Sequence, residues 1–570
     1  MHESTPAIPA KHSLLHWIRE HRVVLLYALL MFAVLPARDL WAPDEPDFAQ
    51  CVREMRERGS WLLPYLNGVP YSEKPILFYW LMKVSAIAGD TLTGGAGFTN
   101  GVAAWALRLP SVLAAVGFMA GFHRWARRFL QADLADLGAM VLATTPIWFW
   151  QGQFIQIDMV FAALLAWSWL SWFGGYLLLR GHVQRKDDHE EARWFLGAYL
   201  ALALAFLAKG PLAMVLSLAV VLAFLAWQRD WKACARMRLG TGLLLMLALI
   251  APWYVAAGFK GGTAYVYEMV IHQNFERALH AWDHVQPWWQ YARYLAGDYF
   301  PWTLLLPVLG IHIWREGQHR SVGTRFCILA VMVPILLLSL SQSKQGKYIL
   351  MVYPFLALLM AAMFQPVALE AAPKARNRAL GALLAIGLWI PAFALSAVAF
   401  FSAGGPRLQE TLTPYLGPLR LSAGVLLLGA VSLTARTRLG EGRFLVRETA
   451  FSLGLLFLVL GTWGFHQLDP AKVYQRWTEA AQPLISGRKV YFWQTIRSGV
   501  MVYTDHLMPE LRSYEALVSQ LGPEDRLVTM RREWDMNSWG MTPERRNEFE
   551  ELLKVPVGEG EALLLRRRTR

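Results

Sequence analysis

The sequence predicts an α-helical protein that crosses a membrane many times and carries a small mixed α/β domain outside the cytoplasm at its C-terminal end. Three observations predict this. Of the 570 residues, 55% are hydrophobic. Apolar stretches of membrane-crossing length recur until about residue 466, and the segments between them alternate sharply in charge. The stretches centre near Ala28, Leu113, Val141, Ala166, Leu202, Leu218, Leu247, Leu306, Leu336, Leu356, Leu388, Leu426 and Leu456, which predicts about 13 spanning helices.

Taken in order, the first run, Val23 to Pro36, follows Lys11, Arg19 and Arg22. No small-residue cleavage site follows it, so it reads as a retained helix rather than a signal peptide. Basic clusters then recur at Arg124/Arg127/Arg128, Arg180/Arg185/Lys186/Arg193, Arg229/Lys232/Arg236/Arg238, Arg315/Arg320/Arg325, Lys374/Arg376/Arg378 and Arg436/Arg438/Arg443/Arg447. All fall on the side of the N-terminal tail, and cations collect on the cytoplasmic side of membrane proteins. The long connections, roughly 38–104, 258–300 and everything after about 467, are therefore expected outside. This divides the chain into a membrane domain, 1–466, and an external α/β domain, 467–570.

Within the first connection, Phe48 to Met55 and Ile76 to Ile87 have helical periodicity and read as amphipathic helices along the membrane surface. Gly59, Pro64, Gly68 and Pro70 punctuate the stretch between them. After residue 467, Lys489–Trp493, Gly499–Tyr503 and the leucine run after Ala562 read as strands. Trp288, Trp289, Tyr291 and Tyr294 suit an interfacial aromatic belt. No internal repeat or low-complexity tract is evident.

The net charge of +13 raises nucleic acid as a partner. The basic residues lie in short gaps between apolar runs, however, and form no aromatic-interleaved face. Cys51, Cys234 and Cys327 have no metal-ligand spacing and sit at different levels, so no disulfide is expected. A transporter would place ionisable groups near the midplane, often in repeated halves. Here they gather at the outer surface.

The chemistry-bearing residues form two sets on that side. Asp44 and Glu45 lie just beyond the first span, with Asp47 following, and acids beside a bilayer are costly unless used. Glu73 and Asp158 join them. The cations are Lys74, Lys209, Arg277, Lys344 and Lys347. Cations are exceptional on the outer side, and several at one depth suit a phosphate near the headgroups. A carboxylate that activates an acceptor, facing cations that stabilise a departing lipid phosphate, suits glycosyl transfer. His280, Asp283 and His284 place an i, i+4 histidine pair around an acid. That pattern could ligate zinc, but loop histidines beside Trp282 and Trp288 are more often hydrogen-bonded surface groups, and no metal is expected.

Together, Asp44-Glu-Pro with Gln50, Tyr71-Ser-Glu-Lys-Pro75, Asp158, Lys209-Gly-Pro211 and Lys344-Gln-Gly-Lys-Tyr348 resemble the GT-C membrane glycosyltransferases. Within that group the chain resembles the aminoarabinose transferases of lipid A, relatives of the protein O-mannosyltransferases. The resemblance covers essentially the whole chain. It implies a multi-pass bacterial inner-membrane enzyme with its site facing the periplasm. That enzyme would move a sugar from undecaprenyl phosphate to lipid A phosphate with no further cofactor; the alternative acceptor is a protein hydroxyl or another envelope glycan. It also implies that Asp44 is the catalytic aspartate, that Glu73 and Lys74 serve the donor, and that Asp158, Lys209 and Tyr348 are further pocket positions. Members of the family often carry a basic residue three places after the catalytic aspartate. This chain has Asp47 there, which removes a phosphate contact.

Overall fold

The computed structural model describes residues 14–269, 272, 284–365, 373–401, 412–494, 496–504, 506–558 and 560–568. Ten helices carry the chain from the N-terminal side to the second long connection: α1 Leu14–Val34, α2 Asp44–Glu57, α3 Leu77–Thr93, α4 Ala104–Phe129, α5 Ala132–Ala143, α6 Pro146–Gly152, α7 Ile157–Leu179, α8 Glu190–Lys209, α9 Leu212–Gln228 and α10 Leu239–Tyr267. Further long apolar helices follow at Val322–Leu340, Pro373–Phe401, Leu416–Thr437 and Gly442–Val459.

Among the described residues, nine helical segments are long and apolar enough to cross a membrane, with α9 a shorter apolar helix. This is fewer than the thirteen expected. The stretch around Val141 yields only the twelve residues of α5, because Pro146 cannot continue a helix whose backbone N–H it lacks. The stretch around Leu306 yields a ten-residue helix, Leu306–Arg315. α1 carries His16, Arg19, Glu20 and Arg22 in its first half, which shortens its apolar part.

α7 is the central post of the bundle: apolar all round, and 89% of its spanning window is buried. α4 and α8 press on it at Gly174 and Gly175. A Cβ at Gly174 would lie 3.0 Å from the Phe129 ring, and one at Gly175 3.0 Å from the Phe195 ring. Two bare backbones in succession thus set the helix spacing. Toward the C-terminal end of α7, Phe173 stacks on Phe326 with ring centroids 4.1 Å apart, and Phe224 meets both edge-on, tying α7 and α9 to Val322–Leu340.

The first long connection folds back on itself. α2 starts at Asp44, four residues before the predicted start, because Asp44, Glu45 and Asp47 in its first turn complement the positive helix end. A two-residue hairpin, β1 Tyr65–Leu66 and β2 Val69–Pro70, turns at Asn67 and Gly68. Both turn residues have positive φ, as such turns require. The hairpin's backbone N–H groups at Asn67 and Gly68 donate to Glu54 of α2 at 2.7 and 2.8 Å.

The C-terminal region is a five-stranded sheet. Its strands are β3 Val490–Trp493, β4 Glu510–Leu511, β5 Arg526–Met530, β6 Phe549–Val557 and β7 Gly560–Arg567, in the order β4-β3-β5-β7-β6. β3 runs parallel to β4 and β5, and the β5-β7-β6 side is antiparallel. Residues 499–503, predicted as a strand, lie instead in the helix Ser498–Thr504. That helix packs on α2, where Arg53 donates to the Met501 carbonyl at 2.8 Å, and Asn100 of the connection between α3 and α4 donates to the Val502 carbonyl at 2.8 Å. Its β-prone valines are buried on a helical surface, a tertiary override of local preference. In the predicted aromatic belt, Trp288 and Trp289 are exposed while Tyr291 is buried.

Candidate active site

A cavity of about 720 Å³ opens where the start of α2, the loop before α3, the start of α7, the end of α8 and residues 337–348 meet. Asp44, Glu73, Lys74, Asp158, Lys209, Lys347 and Tyr348 all line it. These residues span three hundred positions in the sequence. The fold brings them together because the starts of α2 and α7, the end of α8, the loop before α3 and residues 337–348 meet at one end of the bundle.

At the floor the charges are paired. Lys209 hydrogen-bonds Asp158, and its Nζ lies 4.5 Å from the centre of the Tyr348 ring. Lys347 Nζ lies 3.4 Å from Asp44 Oδ2 and 4.0 Å from Asp158 Oδ2. Gln156 Nε2 donates to the same Asp44 oxygen at 2.6 Å. Asp158 is thus bracketed by two lysines, while the Asp44 side chain remains 44% exposed to the cavity. Asp47 also lines the wall. Burial pushes its carboxyl up to about 7, and the neighbouring carboxylates Asp44 and Glu73 push in the same direction.

Two expected site residues lie elsewhere. Glu45, adjacent to Asp44, faces the opposite way and is fully buried. It accepts two hydrogen bonds from Arg38, at 2.5 and 2.9 Å, and lies 3.2 Å from Arg108. The backbone N–H groups of Trp41 and Ile155 add two more at 2.9 Å each. Burial alone would raise its pKa, but Arg108 and Arg38 overcome this and hold it down to about 2. It is held as a buried anion between two arginines and does not line the cavity. Lys344 is also buried, and its Nζ donates to the carbonyls of Gln286, at 3.1 Å, and Ser341. It ties the second long connection to the chain beyond Leu340 and does not line the cavity. Arg277 lies outside the described residues, as do His280 and Asp283. His284 lines the cavity, and among the described residues no group of three or more His, Cys, Asp or Glu is placed to hold a metal ion.

Gln156 went unnoticed in the sequence although it stands two residues before Asp158. Arg38 and Arg108 were missed as well. An arginine within the apolar first half of a spanning helix, as Arg108 is in α4, requires a buried anion, and that need is readable from the sequence.

Comparison with known proteins bears on the fold. A family model described as dolichyl-phosphate-mannose-protein mannosyltransferase matches residues 73–255. The crystal structure of ArnT from Cupriavidus metallidurans bound to undecaprenyl phosphate superposes with a TM-score of 0.75 at 20% identity, covering 97% of this chain and 98% of that one. The chain has the GT-C fold. With that fold it resembles, in sequence, the undecaprenyl phosphate-alpha-4-amino-4-deoxy-L-arabinose arabinosyl transferase of Pseudomonas aeruginosa (strain LESB58), 29% identical over 79% of this chain and 75% of the relative. The corresponding protein of Pectobacterium carotovorum is 31% identical over 65% of this chain and 61% of the relative. A more distant GT-C likeness, TM-score 0.50 at 10% identity, is to the archaeal oligosaccharyltransferase AglB of Archaeoglobus fulgidus, over 94% of this chain and 73% of that one.

Proposed function

We propose that the protein is a GT-C glycosyltransferase that moves a sugar of the aminoarabinose type from undecaprenyl phosphate to a lipid A phosphate. It works in the bacterial inner membrane with the cavity facing the periplasm. The observation that carries this reading is the make-up of the cavity: an exposed carboxylate, Asp44, stands beside a floor of lysines already fixed by Asp158.

The donor's phosphate binds among Lys74, Lys209 and Lys347. An acceptor oxygen attacks the anomeric carbon, the bond from that carbon to the carrier's phosphate oxygen breaks, and the carrier leaves with the added negative charge. Two charges about 4 Å apart interact by about 4 kcal/mol at an effective dielectric near 20. Contacts that strengthen as charge builds on the leaving oxygen lower the barrier rather than only tightening binding. Asp44, oriented by Gln156, accepts the hydrogen bond or proton of the incoming acceptor. Asp158 and the Tyr348 ring hold Lys209 in place before the donor arrives. The lysines supply the positive charge, so transfer runs without a metal and persists in excess chelator.

A second reading keeps this chemistry and changes the acceptor to a protein hydroxyl. The match to a protein mannosyltransferase model over residues 73–255 favours it. Mass spectrometry of lipid A and of periplasmic proteins from cells with and without the gene separates the two. Loss of an aminosugar from lipid A supports the first reading, whereas unchanged lipid A beside altered proteins replaces it with the second.

A further inference from the structure

A second cavity, about 1040 Å³, opens at the other end of the bundle between α1, α4, α7 and α8. α8 connects the two: Lys209 at its C-terminal end lines the first and Glu190 at its start lines the second, about 29 Å away at the helical rise. This is the end where the basic connecting segments lie. Five cations line the second cavity, Arg124, Arg127, Arg128, Lys186 and Arg193, against two carboxylates, Glu20 and Glu190. Glu20 pairs with Arg127 at 2.8 Å and Glu190 with Arg128 at 3.0 Å, while Arg193 pairs with Asp187. Among the described residues no ion pair engages Arg124 or Lys186. The mouth therefore carries an uncompensated positive charge at the level of the cytoplasmic headgroups.

The cavity also has depth. From this mouth it follows α4 up to Gly121 and α8 up to Gly197, with Trp167 and Trp194 as walls, about 10 Å into the apolar layer at the helical rise. A Cβ at Gly197 would meet nothing within 4 Å, so the groove beside it is open. Snorkelling side chains alone would need no hollow beneath them. A free anion would need the cations but not an apolar slot lined by tryptophan.

We propose that this cavity binds the phosphate headgroup of an anionic membrane lipid on the cytoplasmic side. Arg124 and Lys186 contact the phosphate, and the start of an acyl chain lies in the groove past Trp194 and Gly197. Basic pockets between helices at this level bind anionic headgroups by the same physics. The site is separate from the sugar-transfer cavity and does not depend on how that cavity is read.

Native mass spectrometry of the full-length protein in neutral detergent, titrated with phosphatidylglycerol, phosphatidylcholine or inorganic phosphate, tests it. The wild-type protein retains phosphatidylglycerol in preference to phosphatidylcholine. Arg124→Gln with Lys186→Gln weakens that retention by about thirty-fold, two headgroup-level cations' worth. Gly197→Leu fills the groove with the charges untouched and also weakens it. Equal retention of the two lipids by the wild-type protein overturns the proposal without any variant. So does unchanged retention in both cavity variants, and so does displacement of phosphatidylglycerol by equimolar inorganic phosphate, which would mark a free-anion site.

Discussion

Asp44 and Glu45 are adjacent in sequence, yet they belong to two different regions. Asp44 faces the cavity, 44% exposed, with Lys347 and Gln156 as neighbours. Glu45 faces the packed underside of α2, fully buried between Arg38 and Arg108 and capped by two backbone N–H groups. Adjacent helical positions point about 100° apart, so one turn can serve both regions. Lys344 and Lys347 repeat the division on the opposite wall. The first is spent on carbonyls that fix a connection, and the second reaches the acids of the cavity. A charge at the outer membrane level is therefore no proof of a role in the reaction, since its partners decide which region it serves.

Four substitutions test that division. Asp44→Asn keeps the size and the helix start but removes the base, so turnover falls by about 10²–10⁴-fold. Its thermal stability in detergent stays near wild type, and a loss of stability equal to that of a Glu45 variant would erase the distinction. Glu45→Ala leaves two arginines buried without their anion and destabilises the protein by about 3–5 kcal/mol, read as a fall in unfolding temperature. An active, stable Glu45→Ala protein would show that the arginine pair does not need it. Asp47→Asn acts through pH. Its folded pKa, about 7, lies above the ordinary 3.8, so the folded state holds the proton longer than the unfolded one and stability falls as pH rises from about 4 through 7. The asparagine variant removes that slope and gains roughly 2 kcal/mol at pH 8 but little at pH 4, after discounting for partial exposure. A thermal-unfolding series across this range reads it, and parallel curves for the two proteins would remove Asp47 as the titrating group. Lys344→Met forfeits two hydrogen bonds and lowers stability by about 1–2 kcal/mol with the transfer rate per folded molecule intact. A rate loss beyond the folded fraction would return Lys344 to the cavity.

The sequence made the membrane class legible, because hydropathy and loop charge are summed over long windows and survive local error. It also singled out Asp44, Asp158, Lys209 and Lys347, since charges at a membrane surface stand out against an apolar background. Direction was not legible. Whether Glu45 faces the cavity or Arg108 depends on the rotation of α2, which the contacts with the hairpin and with Ser498–Thr504 fix. The helix at 498–504 was missed for a related reason: its valines favour a strand locally, and only packing on α2 makes it helical. Helix lengths were less legible, because apolar composition alone does not register a break such as Pro146, which limits the stretch around Val141 to twelve residues.

The most direct test is the affinity for undecaprenyl phosphate of the wild-type protein beside Lys347→Met and Asp44→Asn, measured in the same detergent. A lipid phosphate seated on the lysine floor means that Lys347→Met weakens binding by about ten-fold or more, while Asp44→Asn, which removes a nearby negative charge, binds as well as wild type or better. Equal affinity in all three proteins, or a loss confined to Asp44→Asn, would contradict a phosphate held at Lys347.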